Sequence, residues 1–192
     1  MPTLIKVLEE ARACRLCADG LPHEPRPIVS ASPNARLLII VQAPGSKVHE
    51  SGVPWDDKSG DRLRQWLNIS KQVFYDDTKV AIMPMGFCYP GKGRSGDLPP
   101  RPECAPHWHA KVLSRLPEIQ LTLLIGQYAQ RYYLGNDSRT LTDTVAAWRD
   151  HLPTYFALPH PSPRNQFWLR KNPWFEKEVL VELQKRVKKA LL

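Results

Sequence analysis

Four runs of apolar residues, each five or six positions long, divide the chain: Arg36 to Val41, Lys79 to Met83, Leu121 to Ile125, and Thr154 to Leu158. Their length, their unbroken hydrophobicity and the Gly, Pro or polar residues that close them are those of strands buried on both faces. Between them the apolar positions change to helical spacing. Leu4, Ile5, Val7, Leu8 and Ala11 predict a short helix over residues 3–12, and Leu63, Trp66, Leu67 and Ile69 one over 59–69. Further helices are predicted over 105–116, 127–134 and 173–192, the last with Val179, Leu180, Leu183, Val187 and Leu191 on one side. Strands alternating with helices predict an α/β fold, a three-layer α/β/α sandwich around a central, mostly parallel four-stranded sheet, in one domain spanning 1–192. Such sheets bind ligands beyond the carboxyl ends of their strands, so the loops after the first, second and fourth runs are where chemistry is expected.

Composition narrows the class. Hydrophobic residues at 42% and charged residues at 24% exclude wholesale disorder. The 19 prolines cluster in connections such as Leu98 to Pro102 and Leu158 to Pro163, which predicts long, stiffened loops. Twenty-seven Lys and Arg against 19 Asp and Glu give a net charge of +8, a balance suited to a polyanionic partner. Lys92, Arg94, Arg101, Arg164, Arg170 and Lys171 fall in the predicted loops, where phosphate-contacting side chains must stand. The first residues lack a basic segment followed by a long apolar one, and no stretch approaches a membrane span. A cytoplasmic monomer without membrane partners is therefore expected.

A reducing compartment disfavours disulfides and leaves the four cysteines as metal ligands or core thiols. Cys14 and Cys17 form a C-x2-C pair, while Cys88 and Cys104 have fifteen residues between them. Four thiolates suit either a tetrahedral zinc or an iron-sulfur cluster. The wide second spacing is unusual for a zinc ribbon.

Taken together, the order and spacing of these cysteines and two loop motifs resemble the uracil-DNA glycosylase superfamily, particularly its iron-sulfur branch, family four. The resemblance runs from Cys14 to the last helix and implies a 4Fe-4S cluster on Cys14, Cys17, Cys88 and Cys104. The branch's first motif, G-E-[AG]-P-G followed by T-G-x-P-F and a helix, is matched by Val41 to Gly45 and by Ser51 to Trp55. The second, His160-Pro161-Ser162-Pro163-Arg164-Asn165, is similar to the corresponding loop of single-strand-selective uracil glycosylases. By this resemblance His160 and Gln42 are catalytic, Ala43, Trp55 and Met85 surround the base, and Ser162, Pro163, Arg164 and Asn165 engage DNA. The implied function is monofunctional excision of a deaminated base, uracil foremost, from DNA. A relative that senses damage without cleaving it, or a glycosylase for hypoxanthine or xanthine, is the alternative.

The chain departs from the family pattern at three positions. Gln42 stands where family four has Glu, and Ala43 where other branches have a water-activating Asp or Asn, so the expected carboxylate base is missing. Glu50, Asp56, Asp57 and Asp61 are the acidic residues nearest in sequence. Pro84 replaces the uracil-reading Asn and offers neither a side-chain donor nor a backbone N–H.

Overall fold

The computed structural model describes residues 2–135 and 138–192. The four apolar runs become β1 (Leu37–Ile40), β2 (Val80–Ile82), β3 (Leu121–Ile125) and β4 (Tyr155–Leu158). They lie in the order β2-β1-β3-β4, all parallel. Leu37 pairs with Val80 on one side and Leu121 on the other, and Ile125 with Leu158. Ser30 forms an antiparallel bridge with Ile82 and covers part of the β2 edge.

Side chains that alternate along these strands serve two cores, which is why the runs are apolar throughout rather than at every second position. Leu37, Ile39, Leu123, Ile125, Phe156 and Leu158 face a layer containing Trp66, Phe175, Leu183 and Val187. Leu38, Ile40, Ala81, Met83 and Leu124 face a second containing Leu4, Val7, Trp108 and Val112. The first layer is built by α3 (Lys58–Leu67) and α9 (Leu180–Leu191), the second by α1 (Leu4–Arg12), α5 (Cys104–Leu113) and α6 (Gln127–Leu134). The three-layer α/β arrangement expected from the alternation is the one observed.

Helix boundaries follow local chemistry. Thr3 caps α1 and Asp57 caps α3, each side chain accepting an N–H from the first turn. Asn68 ends α3 in the left-handed conformation, φ 52°. The predicted terminal helix is divided, because Phe175–Val179 forms a wider π-helical turn before α9 begins. That turn seats the buried Phe175 ring edge-on to Trp66, with centroids 4.9 Å apart. The structure also has α2 (Ser46–Ser51), α4 (Lys71–Phe74), α7 (Leu141–Ala146) and α8 (Gln166–Lys171), which the apolar periodicity did not mark. Among the described residues no helix is long and apolar enough to cross a membrane.

One buried histidine joins three elements. His109 of α5 is 2% exposed; its Nε2–H donates to the Pro84 carbonyl at 2.9 Å, while the Tyr133 hydroxyl of α6 donates to Nδ1 at 2.6 Å. Both ring nitrogens are thus satisfied in the neutral imidazole, and burial drives its pKa down to about 4. Between that value and the ordinary 6.5 the unfolded chain binds the extra proton. His109 therefore contributes stability that is complete above pH 6.5 and lost as the pH falls toward 4. Denaturant titrations should show this loss, up to roughly 3 kcal/mol at about 1.4 kcal/mol per pKa unit, and in His109→Gln the pH slope across this window should flatten. An unchanged slope would mean that the histidine is not held neutral.

Candidate functional site

Beyond its last strand pairs the chain continues β1 and β2 side by side: Met85 N–H donates to Val41 O at 2.7 Å and Gly86 N–H to Gln42 O at 3.0 Å. This pairing brings the loop after β1 against the loop after β2. From β3, the buried Gln130 amide at the start of α6 donates to the carbonyls of Leu124 (3.1 Å) and Leu158 (2.9 Å), fixing the end of β4 just before His160. Three strand ends then enclose a cleft of about 540 Å³, within the usual range for a small-molecule site.

Trp55 forms one wall. It sits at φ 59°, a backbone conformation that a bulky side chain rarely adopts, and is 6% exposed. Three neighbours impose this conformation. Gly52 turns the chain at φ 76°, the Tyr75 hydroxyl donates to Pro54 O at 2.9 Å, and the Trp55 carbonyl fills the space where a Cβ on Gly60 would lie. The indole packs on the His160 imidazole with centroids 5.7 Å apart and planes 26° from parallel.

His160 is held by its own loop. Ser162 N–H donates to His160 Nδ1 at 3.1 Å, Asn165 Nδ2 donates to His160 O at 2.7 Å, and Arg62 of α3 donates to Ser162 O at 3.2 Å and to Gln166 Oε1 at 2.9 Å. A ring nitrogen that accepts from a backbone N–H carries no proton, so the neutral proton resides on Nε2. Burial lowers the pKa of His160 to about 4, partly offset by the Asp57 carboxylate. At neutral pH the ring is an uncharged Nε2–H donor.

Of the residues the sequence singled out, Gln42, Ala43, Trp55, His160, Ser162, Pro163 and Arg164 line the cleft. Asn165 lies behind the loop as a brace, and the Met85 side chain packs into the core shared with α1 and α5 rather than lining the cleft. Of the four nearby acids only Asp57 lines it; its Oδ1 accepts Gly60 N–H at 2.8 Å. Asp61 instead pairs with Arg64. Arg170 and Lys171 stand on α8, not in a loop, and Arg101 pairs with Glu103. The structure adds one acid that sequence proximity did not suggest, Asp97, together with Lys47 and Lys58.

A second cavity gathers all four cysteines, about Leu21, Phe87, Arg101 and Trp108. Cys14 and Cys17 follow α1, Cys88 lies in the loop after β2, and Cys104 opens α5. Three N–H groups are directed at sulfur: Trp108 Nε1 (3.4 Å) and Leu16 N (3.5 Å) at Cys14, and Phe87 N (3.3 Å) at Cys104. Burial pushes the free thiols of Cys88 and Cys104 up to about 11 and about 12. Among the described residues no group of three or more His, Cys, Asp or Glu is drawn together closely enough to hold a metal ion.

A family model described as the Uracil DNA glycosylase superfamily matches residues 29–184, from just before β1 into α9. The match includes every residue that lines the cleft apart from Ile28, and begins after Cys14 and Cys17.

The Trp55 wall depends on the absence of a side chain at position 60. In Gly60→Ala the added Cβ would lie 1.9 Å from the Trp55 carbonyl oxygen, so the loop must shift. Denaturation should show a loss of about 1–3 kcal/mol, the usual range for overpacking, with a changed near-ultraviolet Trp signal. Gly45→Ala, whose Cβ would approach nothing nearer than Asp97 Oδ2 at 3.6 Å, should stay within about 0.5 kcal/mol. Equal stability of the two variants would contradict this account of Trp55.

Proposed function

Because the chain belongs to the uracil DNA glycosylase superfamily, we propose that it is a monofunctional DNA glycosylase that hydrolyses the N-glycosidic bond of a deaminated base, uracil first and hypoxanthine or xanthine second. The observation that carries this reading is the cleft in which Trp55 and the Nε2–H of His160 meet.

A base inside a duplex cannot reach such a cleft, so the nucleotide must be turned out of the helix. Trp55 supplies an apolar wall for the extruded base, a kind of contact worth about 1–3 kcal/mol per base. As the glycosidic bond breaks, negative charge grows on the base and positive charge on the sugar. A neutral imidazole that offers Nε2–H to the base oxygen stabilises the first charge without needing to be protonated, and its locked tautomer is available before the substrate arrives. Pro84 lines the cleft but has no N–H to offer the base, and its carbonyl already accepts from His109. Recognition therefore falls to His160 and to the backbone around Gln42 and Ala43. Arg164, Lys47 and Lys58 at the cleft provide phosphate contacts. Lys47 and Lys58 line the cleft but are exposed there and are assigned to phosphate rather than to Schiff-base attack on the sugar, so an intact abasic strand is the product.

The proposal extends to Cys14, Cys17, Cys88 and Cys104 as ligands of a 4Fe-4S cluster with a structural part, joining the end of α1 to the start of α5 and to the loop between Cys88 and Cys104. Support comes from the donor set: four thiols around one largely apolar cavity, with N–H groups directed at two of the sulfurs.

Two measurements test these readings. Protein purified without oxygen should be brown and hold about four irons per chain; colourless protein with stoichiometric zinc would defeat the cluster. On oligonucleotides bearing single uracil, hypoxanthine or xanthine, wild type should release the free base, and His160→Ala should be slower by about 10²- to 10³-fold, the effect of losing one preorganised donor. Undiminished excision by His160→Ala would remove His160 from the mechanism, and no release from any substrate would defeat the glycosylase reading.

A further inference from the structure

The carboxylate absent from the loop after β1 has a counterpart on the opposite rim of the cleft. Residues 91–98 form a tight hairpin: Lys92 bridges Asp97, Gly93 N–H donates to Gly96 O at 2.6 Å, and Leu98 N–H to Gly91 O at 2.8 Å. Gly91 and Gly96 hold φ of 101° and 150°, which few other residues adopt. The hairpin carries Asp97 across to the β1 loop, where its Oδ2 lies 3.6 Å from the Cβ position of Gly45. The Gln42 amide secures this approach, Nε2 donating to the carbonyl of Leu98 at 3.1 Å. An ionised Glu at position 42 could not make that bond, having only acceptors. Asp57, the other acid in the cleft, is engaged at the first turn of α3. Among the described residues the Asp97 carboxylate accepts no protein hydrogen bond and is available to water.

We infer that Asp97 is the catalytic carboxylate of this cleft, taking the proton of the attacking water, and that Gln42 is the positioning residue that holds its hairpin in place. The inference rests on the glycosylase reading. Water oxygen bonds to C1′ of the sugar as the C1′–N bond breaks; that electron pair leaves on the base, whose charge His160 Nε2–H stabilises. Asp97 accepts one water proton and passes it to solvent, the departed base takes up a proton, and the products are the free base and a C1′-hydroxyl abasic sugar. While ionised, Asp97 also stabilises the positive charge developing on the sugar. Position 42 thus carries an amide where family four has Glu, and the acid comes from the opposite rim of the cleft.

The groups facing Asp97 are Arg164 and Lys92, which favour its ionised form, and Asp57, which opposes it, with Tyr89 nearby and Lys47, Lys58 and His160 elsewhere in the cleft. Burial, the largest influence, raises its pKa above the ordinary carboxylate value. The excision rate should therefore climb with pH through an acid limb displaced upward and then stay level, since His160 is already neutral.

The test compares Asp97→Asn, Asp57→Asn and Gln42→Leu in single-turnover excision of uracil from saturating oligonucleotide. Asparagine can still cap α3, so Asp57→Asn keeps that helix start. Asp97→Asn should lose about 10²- to 10⁴-fold in rate, the usual contribution of a general base, together with the acid limb, at unchanged DNA affinity. Gln42→Leu should lower the maximal rate and move the acid limb, again without weakening DNA binding. A second readout needs no turnover: wild type should bind DNA carrying a cationic pyrrolidine in place of the sugar at least tenfold more tightly than DNA carrying neutral tetrahydrofuran, and Asp97→Asn should lose that preference. If wild type excises uracil and Asp97→Asn matches it, or if Asp57→Asn alone abolishes the reaction, the assignment of Asp97 is overturned while the glycosylase reading stands. If wild type excises nothing, the glycosylase reading fails, and retention or loss of the pyrrolidine preference in Asp97→Asn still decides whether this carboxylate faces the sugar.

Discussion

Two backbone hydrogen bonds, Met85 N–H to Val41 O and Gly86 N–H to Gln42 O, hold together what the rest of the molecule uses. They extend the β1–β2 pairing past the sheet and bring the first motif against the segment that leads to Cys88. From Cys88 the chain runs through the 91–98 hairpin and returns to Cys104, so both ends of the excursion that carries Asp97 reach one cysteine-lined cavity. The cleft and the thiol cavity are thus opposite ends of one loop. A group that closed the thiol cavity would fix the base of the hairpin, while Gln42 fixes its far side at Leu98. A structural site well away from the reacting atoms can then govern the geometry of the reaction.

The cleft combines an uncharged donor with charged surroundings. His160 is kept neutral by burial and tautomerically fixed by Ser162, so it can polarise a leaving base without presenting a cation to it. The cations stand farther out, on Lys47, Lys58 and Arg164, where a phosphate backbone would pass. In the proposed reaction this division would keep the attraction for DNA, which salt screens, apart from the donor to the base, which salt does not. Trp55 in its left-handed conformation shows how firmly the wall is specified: Gly60, Pro54 and Tyr75 all have to cooperate to hold it.

Much of this was legible in the chain. Unbroken apolar runs marked all four strands, because a sheet covered on both faces needs no polar alternation, and the motif residues Gln42, Ala43, Trp55, His160 and Arg164 do meet in one cleft. The short helices α2, α4, α7 and α8 were not legible, since four to six residues are too few to show a period. Sequence neighbours misled in the search for an acid. Asp56 and Asp61 are close along the chain but do not line the cleft, whereas Asp97 reaches it only through a hairpin fold and a bond from Gln42 to Leu98, two residues 56 positions apart. Gln130, Arg62 and His109 were missed for the same reason, as each acts on a partner in another element. The Gly-rich stretch before Asp97 was the one available signal of a sharp turn, and Met85 shows the reverse error, a residue next to a motif whose side chain points into the core.

The central claim is that the cleft receives a base at the Nε2–H of a neutral His160. Nitrogen-15 NMR of the histidine ring tests it most directly, with DNA carrying 2′-fluoro-2′-deoxyuridine, whose fluorine slows cleavage enough to observe the complex. The account predicts a neutral ring protonated at Nε2 in the free protein, and a downfield shift of that proton when the uridine-containing strand binds but not when a thymidine-only strand of equal length binds. A ring protonated at Nδ1, a positively charged ring at neutral pH, or an Nε2 proton indifferent to the uridine would contradict it.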